Sequence, residues 1–172
     1  MRKIIIPSLE SERLILEPLS TKFISKNYLE WMQDPETTKY MESGGLEYSY
    51  EMLTEYLKKI EDENILSWAI IIKSKDIHIG NIKIDPIDYI NLIGEYGILI
   101  GDKKNLGLGY AKEASLEVIN FCFNNLFLKQ INLGVKKDNL NAIKLYKNIG
   151  FNVSNESYKD QNKSHIRMNL LK

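Results

Sequence analysis

The residues with the most chemical potential in this chain gather around a pair of glycines. Gly107 and Gly109 stand in the run Lys104-Asn105-Leu106-Gly107-Leu108-Gly109-Tyr110, directly ahead of a stretch with helical periodicity. Glycines in such a place let the backbone come close to a ligand, and the unbonded amides of a helix start attract phosphate. Lys104 adds a positive charge. The chemistry expected of the loop is anion binding by main-chain amides, with pyrophosphate as the anion; a bare tight turn is the other reading of the same residues. Two familiar phosphate loops do not fit. Lys112 stands where the dinucleotide fingerprint needs its third glycine. Gly109 is followed by Tyr110 and Ala111, not by the Lys and Ser/Thr that end a nucleotide P-loop.

The wider pattern resembles a known family. Lys104-x-x-Gly107-x-Gly109-Tyr-Ala-x-Glu113-Ala114 looks like the acyl-CoA loop of the GNAT acetyltransferases. Asn139-x-x-Ala142-x-x-Leu145-Tyr146-x-x-x-Gly150-Phe151 is similar to the second signature of that family. With Arg13-Leu-Ile-Leu near the start, the likeness covers nearly the whole chain. It implies an α/β (α+β) domain whose mixed, mostly antiparallel sheet splits in a V, with acetyl-CoA as cosubstrate in the gap. By position, Ile98, Leu99 and Ile100 would offer backbone groups to the pantetheine arm, as an added strand does. Lys104, Asn105, Leu106, Gly107, Leu108, Gly109 and Tyr110 would cradle the pyrophosphate. Lys104 departs from the more usual Arg or Gln of the family, and serves as a point charge rather than a fork. Asn139 would bond the pantetheine arm, or serve as a helix cap only. Lys144 or Lys147 would stand near the 3′-phosphate, where Asn148 replaces a basic residue.

The same resemblance assigns catalytic roles. Tyr146 is the proton donor to the departing thiolate, since a phenol with pKa about 10 is protonated at neutral pH. Glu95 is the leading base for the attacking amine, directly or through water. His78 and His165 titrate in the right range but read as ordinary strand residues. Cys122 lies mid-helix on an apolar face and reads as a core thiol, which favours direct transfer over an acyl-enzyme.

These residues need elements to position them. Arg13 to Leu19 reads as a strand stopped by Pro18. Ser20 or Thr21 caps a helix over Phe23 to Met32, which Asp34-Pro35 ends. Pro35 to Gly45 is a polar connector. Ser49 opens a helix with Met52, Leu53, Tyr56, Leu57 and Ile60 on one face. Ile65–Ile72 and Ile77–Ile84 are strands. The alternation of the second slips at Gly80-Asn81, which predicts a bulge or a kink. Pro86 to Asn91 is a loop. Glu95–Ile100 is a buried strand, followed by the glycine loop and a long helix to Leu126. Gln130–Val135 is a strand. Asp138 or Asn139 caps the next helix, and Gly150 ends it. Phe151–Ser154 and Ile166–Leu170 are closing strands. The sum is about six to seven strands and about four helices, with parallel and antiparallel pairs mixed.

Composition narrows the rest. The 172 residues suit a single domain over 1–172. The 23 basic and 23 acidic side chains balance, which argues against a general nucleic-acid or membrane-surface binder. One cysteine and two histidines make neither a disulfide framework nor a metal site. The apolar runs are too short to span a bilayer and Met1 to Pro7 too short for a signal peptide, so a cytoplasmic protein is expected. Homodimers are common in the resembled family.

The acceptor amine should meet the N-terminal segment, where Trp31, Glu36 and Tyr40 combine aromatic faces with a carboxylate. That stretch resembles acetyltransferases acting on nucleotide-linked 4-amino sugars. It resembles, less specifically, ribosomal-protein alanine and polyamine acetyltransferases. A small-molecule N-acetyltransferase is therefore the first expectation, a protein N-terminal acetyltransferase the second, and a non-catalytic acyl-CoA sensor the third.

Overall fold

In the computed structural model, which describes residues 5–41, 44–154 and 164–172, alternation along the third strand sets the layers. In β3 (Leu66–Ile72), Leu66, Trp68, Ile70 and Ile72 enter one core, while Ala69 enters a second core on the opposite face. Around it lie β1 (Leu9–Glu10), β2 (Leu14–Pro18), β4 (Ile77–Asp88), β5 (Ile93–Ile100), β6 (Gln130–Lys136), β7 (Asn152–Val153) and β8 (His165–Leu171). The helices are α1 (Lys26–Gln33), α2 (Pro35–Thr38), α3 (Tyr50–Glu63), α4 (Tyr110–Asn124) and α5 (Leu140–Ile149). The larger core joins α4 and α5 to one sheet face, and the smaller core joins α1 and α3 to the other.

Among the described residues the sheet has eight strands in the order β1-β2-β3-β4-β5-β6-β8-β7. Every neighbouring pair is antiparallel except β5 with β6. That parallel pair is short: Ile93, Gly94 and Glu95 meet Gln130, Ile131 and Asn132, and pairing stops there. Beyond it β5 follows β4 to Ile100, while β6 follows β8 to Lys136. The sheet is therefore split between β5 and β6, the mixed α/β architecture expected.

The slip in β4 is a bulge. Ile70 faces Gly80 and Ile71 faces His78, so Ile79 is the extra residue. The insertion lets Ile79, Ile82 and Ile84 all enter the larger core.

Several boundaries differ from expectation. The cap of α1 is Ser25, whose hydroxyl accepts from Tyr28 N at 3.1 Å; Ser20 and Thr21 lead only into a 3₁₀ turn at Thr21–Phe23. Two cap-competent sites follow each other, and the second stands three residues ahead of the buried Tyr28. The polar connector contains α2, because Asp34 accepts from Glu36 N at 3.1 Å and Pro35 fits a first helical turn. α3 buries Leu53, Leu57 and Ile60 but leaves Met52 and Tyr56 exposed. β4 runs through Pro86 to Asp88, where a loop was expected, with an irregularity between Ile84 and Ile87. β1 adds an edge strand too short to read from periodicity.

Candidate active site

The glycine loop is held in place by the bulge in β4. The Ile79 carbonyl accepts from Gly101 N at 2.9 Å and Asp102 N at 3.1 Å, so β5 ends where β4 is irregular. Gly80 is obligatory there, because a Cβ would lie 2.1 Å from the Leu99 carbonyl oxygen. Asp102 then caps a 3₁₀ turn at Lys103–Asn105 by accepting from Lys104 N at 3.0 Å.

Past that turn the chain opens to solvent. Leu106, Gly107, Leu108 and Gly109 are exposed, and both glycines have positive φ, 74° and 85°. A Cβ on Gly107 would meet nothing within 4 Å. Gly109 is the residue before α4 and has no side chain to cap it. Among the described residues, no backbone amide from Gly107 to Lys112 donates a hydrogen bond. A cluster of unbonded amides at a helix start, facing open space, is a place for an anion. Lys104 lies exposed at its edge. Asn105 differs from the rest of the expected cradle. It is buried, and its side-chain amide donates to Asp102 at 2.9 Å, so it braces the turn from within.

Two residues that sequence reasoning gave no part in this site shape the loop from outside. Arg13 donates from Nη1 to the Leu108 carbonyl at 3.0 Å and from Nε to Glu113 at 2.7 Å. Glu113 also accepts from Ser11 Oγ and from Arg13 N. Burial works against ionisation of Glu113, but these hydrogen bonds and the Arg13 charge outweigh it and hold its carboxyl below the usual range. Both residues stand within the motifs, yet nothing in the motifs says that they touch.

Tyr146 lies where the split opens. Its ring packs edge-on to Tyr96, the first β5 residue beyond the parallel pairing, with centroids 5.7 Å apart, and also against Phe151. The ring is buried, and burial pushes the phenol up to about 12. The Tyr146 hydroxyl takes no hydrogen bond among the described residues. No partnerless side-chain oxygen or nitrogen there is sealed from solvent, so this hydroxyl reaches solvent. Tyr96 contrasts with it, its hydroxyl paired with Ser115 Oγ at 2.7 Å in the core.

Glu95 is the last β5 residue paired to β6. Both of its carboxylate oxygens are engaged by Arg167 of β8, one of them at 2.7 Å from Nη2. Sequence alone offered no sign of this bidentate partner. Ile98 and Ile100 pack on the larger core and Leu99 on the smaller one, while the edge of β5 from Tyr96 to Ile100 has no strand partner on its β6 side among the described residues. Asn139 is the cap of α5, its side-chain oxygen accepting from Ala142 N at 3.2 Å.

The N-terminal candidates fall in different places. Trp31 is buried. Its indole covers Gly101, where a Cβ would lie 2.2 Å from the ring, and packs with Tyr28 and His78. Trp31 thereby supports the end of β5. Glu36 is exposed on α2. Tyr40 reaches the β6–α5 loop, its hydroxyl 3.4 Å from the Asp138 carbonyl, beside a Lys136 Nζ bond to the Lys39 carbonyl. Asp34 also pairs with Lys103, tying α2 to the glycine loop. His78 is half-buried, and burial lowers its imidazole; its Nε2 lies 2.9 Å from the Gly80 carbonyl and from Asn81 Oδ1. His165 opens β8. Cys122 is fully buried, its thiol pushed up to about 12 by burial. Among the described residues no group of His, Cys, Asp and Glu could hold a metal, and no helix is long and apolar enough to cross a membrane.

The sheet parts between β5 and β6, and the glycine loop with a helix start lacking a side-chain cap follows β5 at the open end. The model of the acetyltransferase (GNAT) domain matches residues 13–152, and the chain belongs to that family. It is accordingly an acyltransferase with acetyl-CoA as donor. An uncharacterized N-acetyltransferase p20 of Bacillus licheniformis is 30% identical over 148 residues, covering 84% of this chain and 82% of that one. An N-acetyltransferase 9-like protein of Nematostella vectensis is 27% identical over 162 residues, covering 87% and 80%. Spermidine N-acetyltransferase from Vibrio cholerae, solved with CoA and spermine, superposes with a TM-score of 0.78 at 23% identity, covering 94% and 96%.

Proposed function

We propose that this chain moves an acetyl group from acetyl-CoA directly to the primary amine of a small molecule, with a nucleotide-linked amino sugar as the first acceptor class. One observation carries the catalytic half of this reading: a buried phenol with an unbonded hydroxyl, Tyr146, lies where β5 and β6 part. The donor supplies a thioester, and transfer leaves a thiolate that needs a proton. Tyr146 remains protonated throughout the neutral range and is the proton donor.

The unbonded amides from Gly107 to Lys112, with Lys104, fit a diphosphate. The open edge of β5 over Ile98, Leu99 and Ile100 fits an extended amide chain added as a strand. Asn139 has its amide nitrogen left for the same arm, since only its oxygen is engaged among the described residues. Glu95 stands at the head of the split as the base for the amine. Both its oxygens are held by Arg167, so accepting a proton, directly or through water, means exchanging one of those bonds. Cys122 lies in the core, which supports direct transfer without an acyl-enzyme. Glu36 and Tyr40 flank the acceptor side, and Tyr40 ties that segment to the β6–α5 loop.

The test is thiol release from acetyl-CoA across an acceptor panel. Turnover is expected with nucleotide-linked amino sugars ahead of polyamines and of peptides with N-terminal alanine or serine. Peptide turnover alone would replace the proposed acceptor with a protein. CoA binding without turnover on any amine would replace catalysis with sensing.

A further inference from the structure

We infer that Arg13 is a positioning residue that aims the anion-binding amides of the glycine loop and masks the Glu113 carboxylate beside them. The inference rests on the proposed diphosphate site. Arg13 immediately precedes β2, on the far side of the sheet from β6 in strand order. Its guanidinium is held on several sides. Nε bonds Glu113, Nη1 bonds the Leu108 carbonyl, and the guanidinium carbon lies 4.5 Å from the centre of the Tyr110 ring. Nη2 lies 3.3 Å from where a Cβ on Gly109 would stand, so the group sits flush against the loop.

The bond to Leu108 has a directional consequence. Apart from Asp85–Pro86, the described peptide bonds are trans. In a trans peptide the C=O and N–H point in opposite directions. Turning the Leu108 carbonyl onto Arg13 therefore turns the Gly109 N–H away from the guanidinium, to the opposite side of the loop. No other backbone bond reaches that carbonyl, and the Gly109 amide donates to nothing among the described residues. Without Arg13, the left-handed glycine on one side of this peptide, Gly109, would ease its rotation. Charge adds a second effect. Glu113 lies in the first turn of α4, close to where a diphosphate would bind, and an uncovered carboxylate there would repel it. Arg13 and Ser11 cover it.

The experiment is calorimetric titration with CoA of the wild-type chain, Arg13→Ala, Arg13→Lys and the double variant Arg13→Ala/Glu113→Gln. It is read together with the Gly109 amide resonance at saturating CoA. Arg13→Ala should weaken CoA about 10- to 100-fold, the range for losing bonds to a charged group. Arg13→Lys should recover little, because one ammonium cannot hold the carbonyl and the carboxylate together. The double variant should bind CoA more tightly than Arg13→Ala, since the uncovered charge is gone. The CoA-induced shift of Gly109 should be lost in Arg13→Ala while resonances of the sheet core stay put. Equal CoA affinity in wild type and Arg13→Ala, full recovery in Arg13→Lys, or an unchanged Gly109 shift would each overturn the role of Arg13. A wild-type chain that binds no CoA would instead overturn the site itself.

Discussion

At the scale of single residues, burial and hydrogen bonding separate chemical candidates from scaffold. Tyr146 and Tyr96 are both buried and packed edge to edge, yet only Tyr146 has an unbonded hydroxyl. Tyr146→Phe should lower kcat by about 10²–10⁴ with CoA affinity unchanged, as loss of a general acid does. An unaltered kcat would remove Tyr146 from the chemistry. The raised phenol pKa also has a sign in stability. The ordinary value is 10.0 and burial lifts it to about 12, so the unfolded chain loses this proton first. The stabilisation is full below pH 10.0 and is lost as pH rises towards about 12. The difference in unfolding free energy between wild type and Tyr146→Phe, measured by urea titration, should therefore shrink across that interval. Glu95→Gln should lower kcat/KM by about 10–10³-fold if its carboxylate takes the amine proton. A variant within twofold of wild type would move the base elsewhere.

At the scale of elements, the site is a junction of irregularities. A bulge in β4 presents the Ile79 carbonyl to Gly101 and Asp102, a 3₁₀ turn follows, and two left-handed glycines deliver the chain into α4. Each breaks a regular ladder and frees backbone groups for another use. Gly107→Val tests the junction. The space in front of Gly107 is open, so the variant meets no clash, but its φ of 74° strains any β-branched residue. It should weaken CoA at least about 10-fold through strain and blocked approach, with a small loss of melting temperature. Unchanged CoA titration would argue against the amide cradle.

At the scale of the whole molecule, the two parts of the sheet meet through a parallel pairing of only three residues on each strand. A ligand lying along the open edges of β5 and β6 would bridge the β1–β5 part to the β6–β8 part. CoA at a hundred times its Kd should stabilise the fold by about 2.7 kcal/mol through linkage alone. Amide exchange should slow along Tyr96–Ile100 and in α4's first turn, and remain unchanged in α3. Protection confined to other regions would place the ligand elsewhere.

What could be read from the residues alone was local. The two glycines, Ser49 and Asn139 as helix caps, Gly150 as a left-handed stop and the break in β4 alternation each reflect a backbone requirement met within a few positions. The family signatures are likewise short runs. Other features waited on tertiary structure. Arg13 and Glu113 are 100 positions apart and Glu95 and Arg167 are 72 apart, and no spacing rule joins them. That the Trp31 ring covers Gly101 follows from how α1 packs on the sheet. Short-range pattern fixes φ, ψ and which face is apolar, because those depend on neighbours along the chain. Which charge meets which carboxylate, and where two strands part, depends on strand order and register, and those arise only when distant segments pack.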